Sequence, residues 1–440
     1  MARIAELEAK IIELTKNSRN SSKPPSSDGP DIQRPRSKRS KKKRGGQPGH
    51  ERHERKLIPQ EQVNEIIPIK PLECSGCGLP LSGNDKEPIR HQVIEVPPIT
   101  PHITEYQLHE LYCKNCQTNT RAQLPMDVPR GSFGPRLCAM IAVLTAKYRL
   151  AKRAARECIS DFLGVTLSLG SIAKIEQQVS KVLEEPYAAA VLYVQDSSVV
   201  NADETSWREN KQKSWLWVAA TKLVSVFVIA RSRGAVVAKH MLSETYCGIV
   251  ITDRWAAYHW LKTKLRQLCW SHLIRDFRSW IDRGGVGKKL GKAILKDVRR
   301  MFGYWHRVRD GTISRAEFIR KMKPIRRRVE YLLTLASQCR NKRVRGMAKQ
   351  ILKLKEALWT FVENEGIEPT NNFGERVLRH AVLWRKGCFG TDSVKGSRFV
   401  ERMLTTIATL RQQQRNVLEF IKKAYDARLR GLPAPSLLPN

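Results

Sequence analysis

Ser198-Val-Val-Asn-Ala-Asp203, Ser214-Trp-Leu-Trp-Val-Ala-Ala-Thr221 and Val224-Ser-Val-Phe-Val-Ile-Ala230 are consecutive segments rich in β-branched and aromatic residues, separated by short polar breaks. That pattern predicts three adjacent antiparallel strands. A helix is expected from Gly234 to Leu242, and Gly248-Ile-Val-Ile-Thr-Asp253 reads as a fourth, buried strand. Three strands, a helix and a further strand fold most simply as a mixed sheet flanked by helices.

The first and fourth of these strands end in Asp203 and Asp253, so neighbouring strand ends would bring two carboxylates together. Like charges at that range repel unless a divalent cation lies between them, and oxygen donors suit Mg²⁺ or Mn²⁺. Phosphoryl transfer with two ions roughly 3.5–4 Å apart normally calls for a third carboxylate. Glu375, in Pro369-Thr-Asn-Asn-Phe-Gly-Glu-Arg, is the candidate. A bland role competes, because Asn372-x-x-Glu375 also has the spacing of a capping box for a helix starting at Asn372. Arg376, Arg379, Arg385 and Lys386 follow and suit phosphates near the same carboxylate.

Charge narrows the partner. Lys plus Arg number 79 against 42 Asp plus Glu, a net +37 whose natural counterpart is a polyanion. Eight of the eleven residues from Arg34 to Arg44 are basic (Arg34, Arg36, Lys38, Arg39, Lys41, Lys42, Lys43, Arg44) with no acid among them, which describes an arm lying along DNA phosphates without base specificity, or a solvated basic tail. Ahead of it, Ile4, Leu7, Ile11 and Leu14 follow a heptad pattern that fits either a short dimerisation zipper or an amphipathic arm. A Ser/Pro/Asn-rich tether over 17–30 joins the two.

Four of the ten cysteines form the pairs Cys74-x-x-Cys77 and Cys113-x-x-Cys116, with β-type segments between them at 91–96 and 103–108. Two such turns joined by strands describe a zinc ribbon whose four thiolates close the shell of one structural Zn²⁺; a redox dithiol is the alternative. Between Phe133 and Leu183 the period turns helical, with helices over 154–162 and 171–182 around Gly164, either a helix-turn-helix or a plain helical hairpin. A charged amino terminus and no apolar run of about 18 residues lead to the expectation of a cytoplasmic, nucleoid-associated protein with no membrane partner.

Asp203-Glu-Thr, Thr252-Asp253-Arg-Trp-Ala-Ala-Tyr, Cys269-Trp-Ser-His272-Leu-Ile-Arg-Asp-Phe, Thr370-Asn-Asn-Phe-Gly-Glu375-Arg and Trp384-Arg-Lys-Gly-Cys-Phe-Gly together resemble the DDE transposases of the insertion-sequence-sixty-six family. The likeness extends over most of the chain, including Arg44-Gly-Gly-Gln-Pro-Gly-His50. It implies an α/β RNase H-like catalytic core whose acidic triad is Asp203, Asp253 and Glu375. The implied activity is metal-dependent cleavage and strand transfer at the ends of a bacterial insertion sequence, using two Mg²⁺ (or Mn²⁺) ions. The implied partners are double-stranded DNA (element ends and target), further copies of the chain in a homo-oligomer, and accessory proteins encoded by the same element. The rival reading is a catalytically inactive, zinc-containing DNA-binding regulator derived from such an enzyme; a host nuclease of the same fold is a third. Two departures from relatives stand out: Arg254 replaces a common glycine, and Phe373-Gly374 a frequent Gln-Ala.

Gaps of 50 and 122 residues separate the three acids, so the core must be interrupted. Residues 284–364, with Ile294, Val298, Met301, Ile351 and Leu358 at helical spacing, read as a basic α-helical insertion. Cys269-x-x-His272 reads as a buried Cys with a hydrogen-bonded His supporting the active-site strand, or as a second zinc site. The expected order is therefore a coiled-coil arm and tether (1–30), a basic linker (31–56), a zinc ribbon (57–125) and a helix-turn-helix-like region (130–190). The core follows in two parts (195–283 and 365–395) around the insertion (284–364), and then come C-terminal helices and tail (396–440).

Overall fold

The computed structural model of the protein describes residues 56–439 and, before them, Leu14, Asn17, Asn20 and Ser21. The basic arm and nearly all of the heptad segment lie outside the described residues. The chain divides into two units, 33–100 and the remainder.

In the smaller unit, the Cys74–Cys77 turn is closed by Cys74 N–H donating to the Leu79 carbonyl and Gly78 N–H to the Cys74 carbonyl, both at 2.9 Å. The larger unit repeats the arrangement at Cys113, whose N–H donates to Thr118 while Gln117 N–H returns to the Cys113 carbonyl. Here the turn joins β1 (Glu110–Tyr112) and β2 (Asn119–Arg121), an antiparallel hairpin. The strands expected at 91–96 and 103–108 do not form as such, and the pairing moves to the residues directly flanking the second Cys pair. Pro97, Pro98 and Pro101 lack the N–H donors that a ladder needs, whereas the tight turn at 113–116 holds its flanks in register.

Between the hairpin and the main sheet lie α1 (Pro135–Ala142), α2 (Lys152–Leu163), α3 (Leu169–Val182) and α4 (Glu184–Asp196). Gly164 ends α2 at φ 63°, and Ser168 starts α3 by accepting the Ser171 N–H, so the turn expected around Gly164 is present. The sheet comprises β3 (Val199–Glu209), β4 (Gln212–Ala220), β5 (Ser225–Ala230), β6 (Ile249–Thr252) and β7 (Arg266–Leu268) in the order β5-β4-β3-β6-β7. β3, β4 and β5 are a meander of antiparallel strands, while β6 runs parallel to β3 and β7 parallel to β6. α5 (Ala235–Leu242) makes the crossover from β5 to β6. The short β7 carries no alternating signal of its own and escapes sequence reading; neighbours buried on both sides define it.

α6 (Trp270–Asp282) leads into the insertion, α7 (Gly285–Arg309), α8 (Arg315–Gln338) and α9 (Lys342–Lys353). α6 to α9 enclose a core of their own, with Trp280, Ile294, Met301, Phe318, Leu333 and Ile351 buried. The chain returns through the short α10 (Thr360–Glu363) to α11 (Asn372–Cys388), α12 (Val394–Gln412) and α13 (Val417–Leu429).

β5 is an edge strand, and α12 covers it with side chains. Thr409 Oγ1, Thr405 Oγ1 and Glu401 Oε1 accept the N–H groups of Ser225, Phe227 and Ile229 at 3.1, 3.0 and 2.6 Å. The match is metric: four helical residues rise ~6 Å and two strand residues ~6.6 Å, so one stripe at i, i+4, i+8 serves alternate strand donors. An edge that would otherwise invite another chain is closed internally.

Candidate functional site

Register brings the two aspartates level. Val199, Val200 and Asn201 pair with Ile249, Val250 and Ile251, so Asp203 and Asp253 each lie two residues beyond the last pair on strands ~4.8 Å apart. Alternation puts both on the face shared by Val199, Ile249 and Ile251, while Val200, Ala202 and Val250 point into the opposite core.

Asn371 brings in the third acid. It is fully buried, and its side chain accepts from Asn201 Nδ2 at 2.8 Å and donates to the Ala202 carbonyl at 2.9 Å. Its backbone N–H donates to Cys269 Sγ (3.1 Å), and its carbonyl receives the Glu375 N–H (3.0 Å). β3, the start of α6 and the start of α11 are thus bolted together by one residue. No side chain caps α11, so the capping-box role suggested for Glu375 is not taken up. Its Oε1 is instead buried without a hydrogen-bond partner. Gly374 is required by the same bolt, since a Cβ there would sit 2.8 Å from Asn371 Oδ1.

The three carboxylates feel one another. Burial raises the pKa of Asp203 well above the ordinary carboxylate range, and the negative charges of Glu204, Asp253 and Glu375 raise it further. Burial likewise raises Glu375, with Asp253 adding to it against the opposing Arg275. Such a cluster disfavours three bare anions.

Around it stands a frame that sequence reasoning missed. Arg266, 1% exposed, donates to Thr252 Oγ1 and to the carbonyls of Asp253, Trp255 and Tyr258, fixing the loop that carries Asp253. Arg233 directs Nε and Nη2 at Glu204 Oε1 (2.9 and 2.7 Å) and lies between the rings of Trp215 and Trp255 (4.6 and 3.9 Å). Tyr258 Oη donates to the other Glu204 oxygen, and Trp255 N–H to Asp253 Oδ1. These arginines are scattered through the basic background of the chain, and no local spacing marks them.

Cys269-x-x-His272 occupies the first turn of α6. Cys269 N–H donates to Thr252, the residue before Asp253, and Trp270 N–H to Pro369, so the motif is stitched between the strand end of one acid and the helix start of another. Burial pushes the Cys269 thiol up to about 11 and holds His272 neutral by lowering its pKa to about 4, Arg275 assisting the latter. Single donor atoms of Cys269, His272 and Glu375 all lie within 4.8 Å of one another.

Arg254 pairs with Asp276 Oδ2 (2.9 Å) and with Gln350 Oε1, tying the Asp253 loop to α6 and α9. Arg376, Arg379 and Lys386 are exposed along α11. Arg385 is half-buried, its Nη1 donating to Thr205 Oγ1 and Ser206 Oγ and clamping α11 to β3. Gly390 follows at φ 134°, where a Cβ would meet the Arg208 carbonyl at 2.3 Å, and Thr391 N–H bonds that carbonyl. The Trp384-Arg-Lys-Gly-Cys-Phe-Gly stretch is thereby explained as the seam closing α11 on the end of β3.

A family model described as the transposase IS66 family matches residues 130–398. The chain belongs to that family. The IS66 match spans the helices before the sheet, the whole sheet, the insertion and α11, and so contains every residue of the site just described. A second model, a family of unknown function (DUF6444), matches residues 1–56, where the basic arm lies. Comparison with curated proteins found no match. Membership of a transposase family implies a DNA partner. No helix among the described residues is long and apolar enough to cross a membrane.

Proposed function

We propose that this IS66-family protein is an active DDE transposase, cutting DNA at element ends and joining them to target DNA, with Asp203, Asp253 and Glu375 as its acidic trio. What supports the reading is that strand register sets Asp203 and Asp253 level on neighbouring strands, while Asn371 ties the start of the helix that carries Glu375 to β3. The strand order, with an antiparallel meander followed by two parallel strands, supports an RNase H-like core.

The donors suit divalent cations: burial and the charges of Glu204, Asp253 and Glu375 raise the pKa of Asp203, and Glu375 Oε1 has no hydrogen-bond partner. Asp203, Asp253 and Glu375 would hold two Mg²⁺ or Mn²⁺ ions, which when bound supply charge to activate the attacking oxygen and to stabilise the leaving one. The residues themselves do the positioning. Arg266 and the Trp255 N–H orient Asp253, Asn371 sets Glu375 against β3, and Arg376, Arg379 and Lys386 offer charge to flanking phosphates.

In the first reaction water attacks the phosphorus at the element end, the bond to the 3′ oxygen breaks, and a 3′-hydroxyl and 5′-phosphate result. In the second that hydroxyl attacks a target phosphodiester, forming one phosphodiester and releasing one target 3′-hydroxyl. No side chain becomes covalently bound. Each Cys-x-x-Cys turn, taken by itself, has the chemistry of a Zn²⁺-binding knuckle: backbone N–H groups of Gly76 and Cys77 lower the Cys74 thiol pKa, and the Thr118 side chain lowers that of Cys116.

Asp203→Asn tests the proposal. The variant should still bind duplexes carrying the DNA that flanks the coding sequence, while losing Mg²⁺-dependent nicking by 10³-fold or more, on the order of 4 kcal/mol of barrier. Nicking at the parental rate would sink the trio. Parental protein that binds but neither cuts nor joins a pre-cleaved end would favour the DNA-binding regulator, and cutting without joining the nuclease.

A further inference from the structure

We propose that His272 is a direct ligand, through Nδ1, of the divalent ion bound by Glu375, making this pole of the site a mixed nitrogen and oxygen site that favours Mn²⁺ over Mg²⁺. The inference rests on the proposed acidic trio and adds a fourth donor to it. His272 Nδ1 and Glu375 Oε1 are both shielded from solvent, both lack a hydrogen-bond partner, and face each other at 3.6 Å.

That separation is too long for the hydrogen bond that would satisfy both atoms, which requires about 2.7–3.2 Å. It is close to the distance between two adjacent donors of one ion. With metal–ligand bonds of about 2.1 Å, neighbouring ligands are ~3.0 Å apart at a right angle and ~3.4 Å apart at a tetrahedral one. Two orphaned buried atoms at such a spacing leave a desolvation cost that a shared cation removes.

The backbone holds both donors in place. His272 N–H returns to the Cys269 carbonyl in the first turn of α6, and Cys269 Sγ accepts the N–H of Asn371, whose carbonyl in turn holds the Glu375 N–H. Cys269 thus fixes the two donors relative to each other, acting as a positioning residue with its sulfur engaged by the backbone. An imidazole donor changes the selectivity, because Mg²⁺ strongly prefers oxygen while Mn²⁺ accepts nitrogen and lies above it in affinity for such sites.

Pulsed electron paramagnetic resonance on the full-length protein, labelled with ¹⁵N-histidine and loaded with Mn²⁺, reads the contact directly. A ¹⁵N hyperfine coupling of directly bound histidine is expected in the parental protein and should vanish in His272→Gln. The variant's preference for Mn²⁺ over Mg²⁺ in competition titrations should also fall about tenfold. Bound Mn²⁺ without a histidine coupling, or a coupling that survives in His272→Gln, overturns this inference and leaves the trio standing. If no Mn²⁺ binds the parental protein and Asp203→Asn nicks normally, both readings fall. The parental spectrum decides the matter even if the variant folds poorly.

Discussion

Replacing Asn371 with alanine removes the amide that joins β3 to α11 while leaving all three acids in place. The lost contacts are the bond from Asn201 Nδ2 and the bond to the Ala202 carbonyl, in a place where Asn371 and Ala202 are 0% exposed and Asn201 is 8%. Both deserted partners are largely shielded from solvent. At ~1–3 kcal/mol for each unsatisfied buried group, the variant should be destabilised by about 2–6 kcal/mol. That loss is measurable as a shift of the denaturant midpoint followed by the fluorescence of the buried tryptophans. Function should suffer separately. Glu375 is held through the Asn371 carbonyl, and a displacement near 1 Å costs on the order of 10² in rate, so metal-dependent nicking should fall by about that factor under conditions where the variant remains folded. Asn371→Asp keeps the shape but sets an oxygen against the Ala202 carbonyl, and should be at least as damaging. An Asn371→Ala protein with an unchanged midpoint and undiminished nicking would refute the claim that this amide positions the third acid.

Further outcomes follow from the same structure. Without divalent cations, Asp203→Asn should raise the thermal midpoint, because it removes a buried carboxylate repelled by Glu204, Asp253 and Glu375. It should also abolish most of the upward shift that Mg²⁺ or Mn²⁺ gives the parental protein; equal shifts in both would count against cation binding by the trio. Thr405→Val strands the Phe227 N–H beneath α12 and should cost ~1–3 kcal/mol in denaturant unfolding, whereas Thr405→Ser should retain most of the stability. His380, whose Nδ1 faces Arg149 and Arg411, is lowered to about 4 by burial first and those charges second. Its folded-state pKa lies below the unfolded value near 6.5, so its contribution is full above pH 6.5 and drains away as pH falls towards 4. The loss is ~1–3 kcal/mol after solvent screening, and His380→Gln should flatten that part of the stability–pH curve.

Much of the core was legible because each piece announces itself locally. Alternation and β-branching mark β3 to β6, and the periodic apolar residues of 284–364 mark an all-helical insertion. Asp203 and Asp253 could be paired in advance because strand ends carry their last residues to one edge. Other parts had no local signature. β7 is three residues long, and its burial is imposed by β6 on one side and the return of the chain near 358–361 on the other. The strands expected at 91–96 and 103–108 illustrate the converse, since β-type composition makes no ladder where prolines remove donors. Arg385 reads as a phosphate contact, yet the fold turns it inward onto Thr205 and Ser206.

By itself the sequence determined which chemistry was available: a polyanion as partner, two paired cysteine turns, and three acids set at strand and helix ends. Only the tertiary structure decided that Glu375 does not close the start of its own helix, a role that its spacing from Asn372 would have allowed. The choice is made by Asn371, which spends its amide on β3 across 169 and 170 positions of chain instead of on its own helix. Side-chain hydrogen bonds between distant segments form only after the backbone has brought them within 3 Å, and no local pattern can encode that approach.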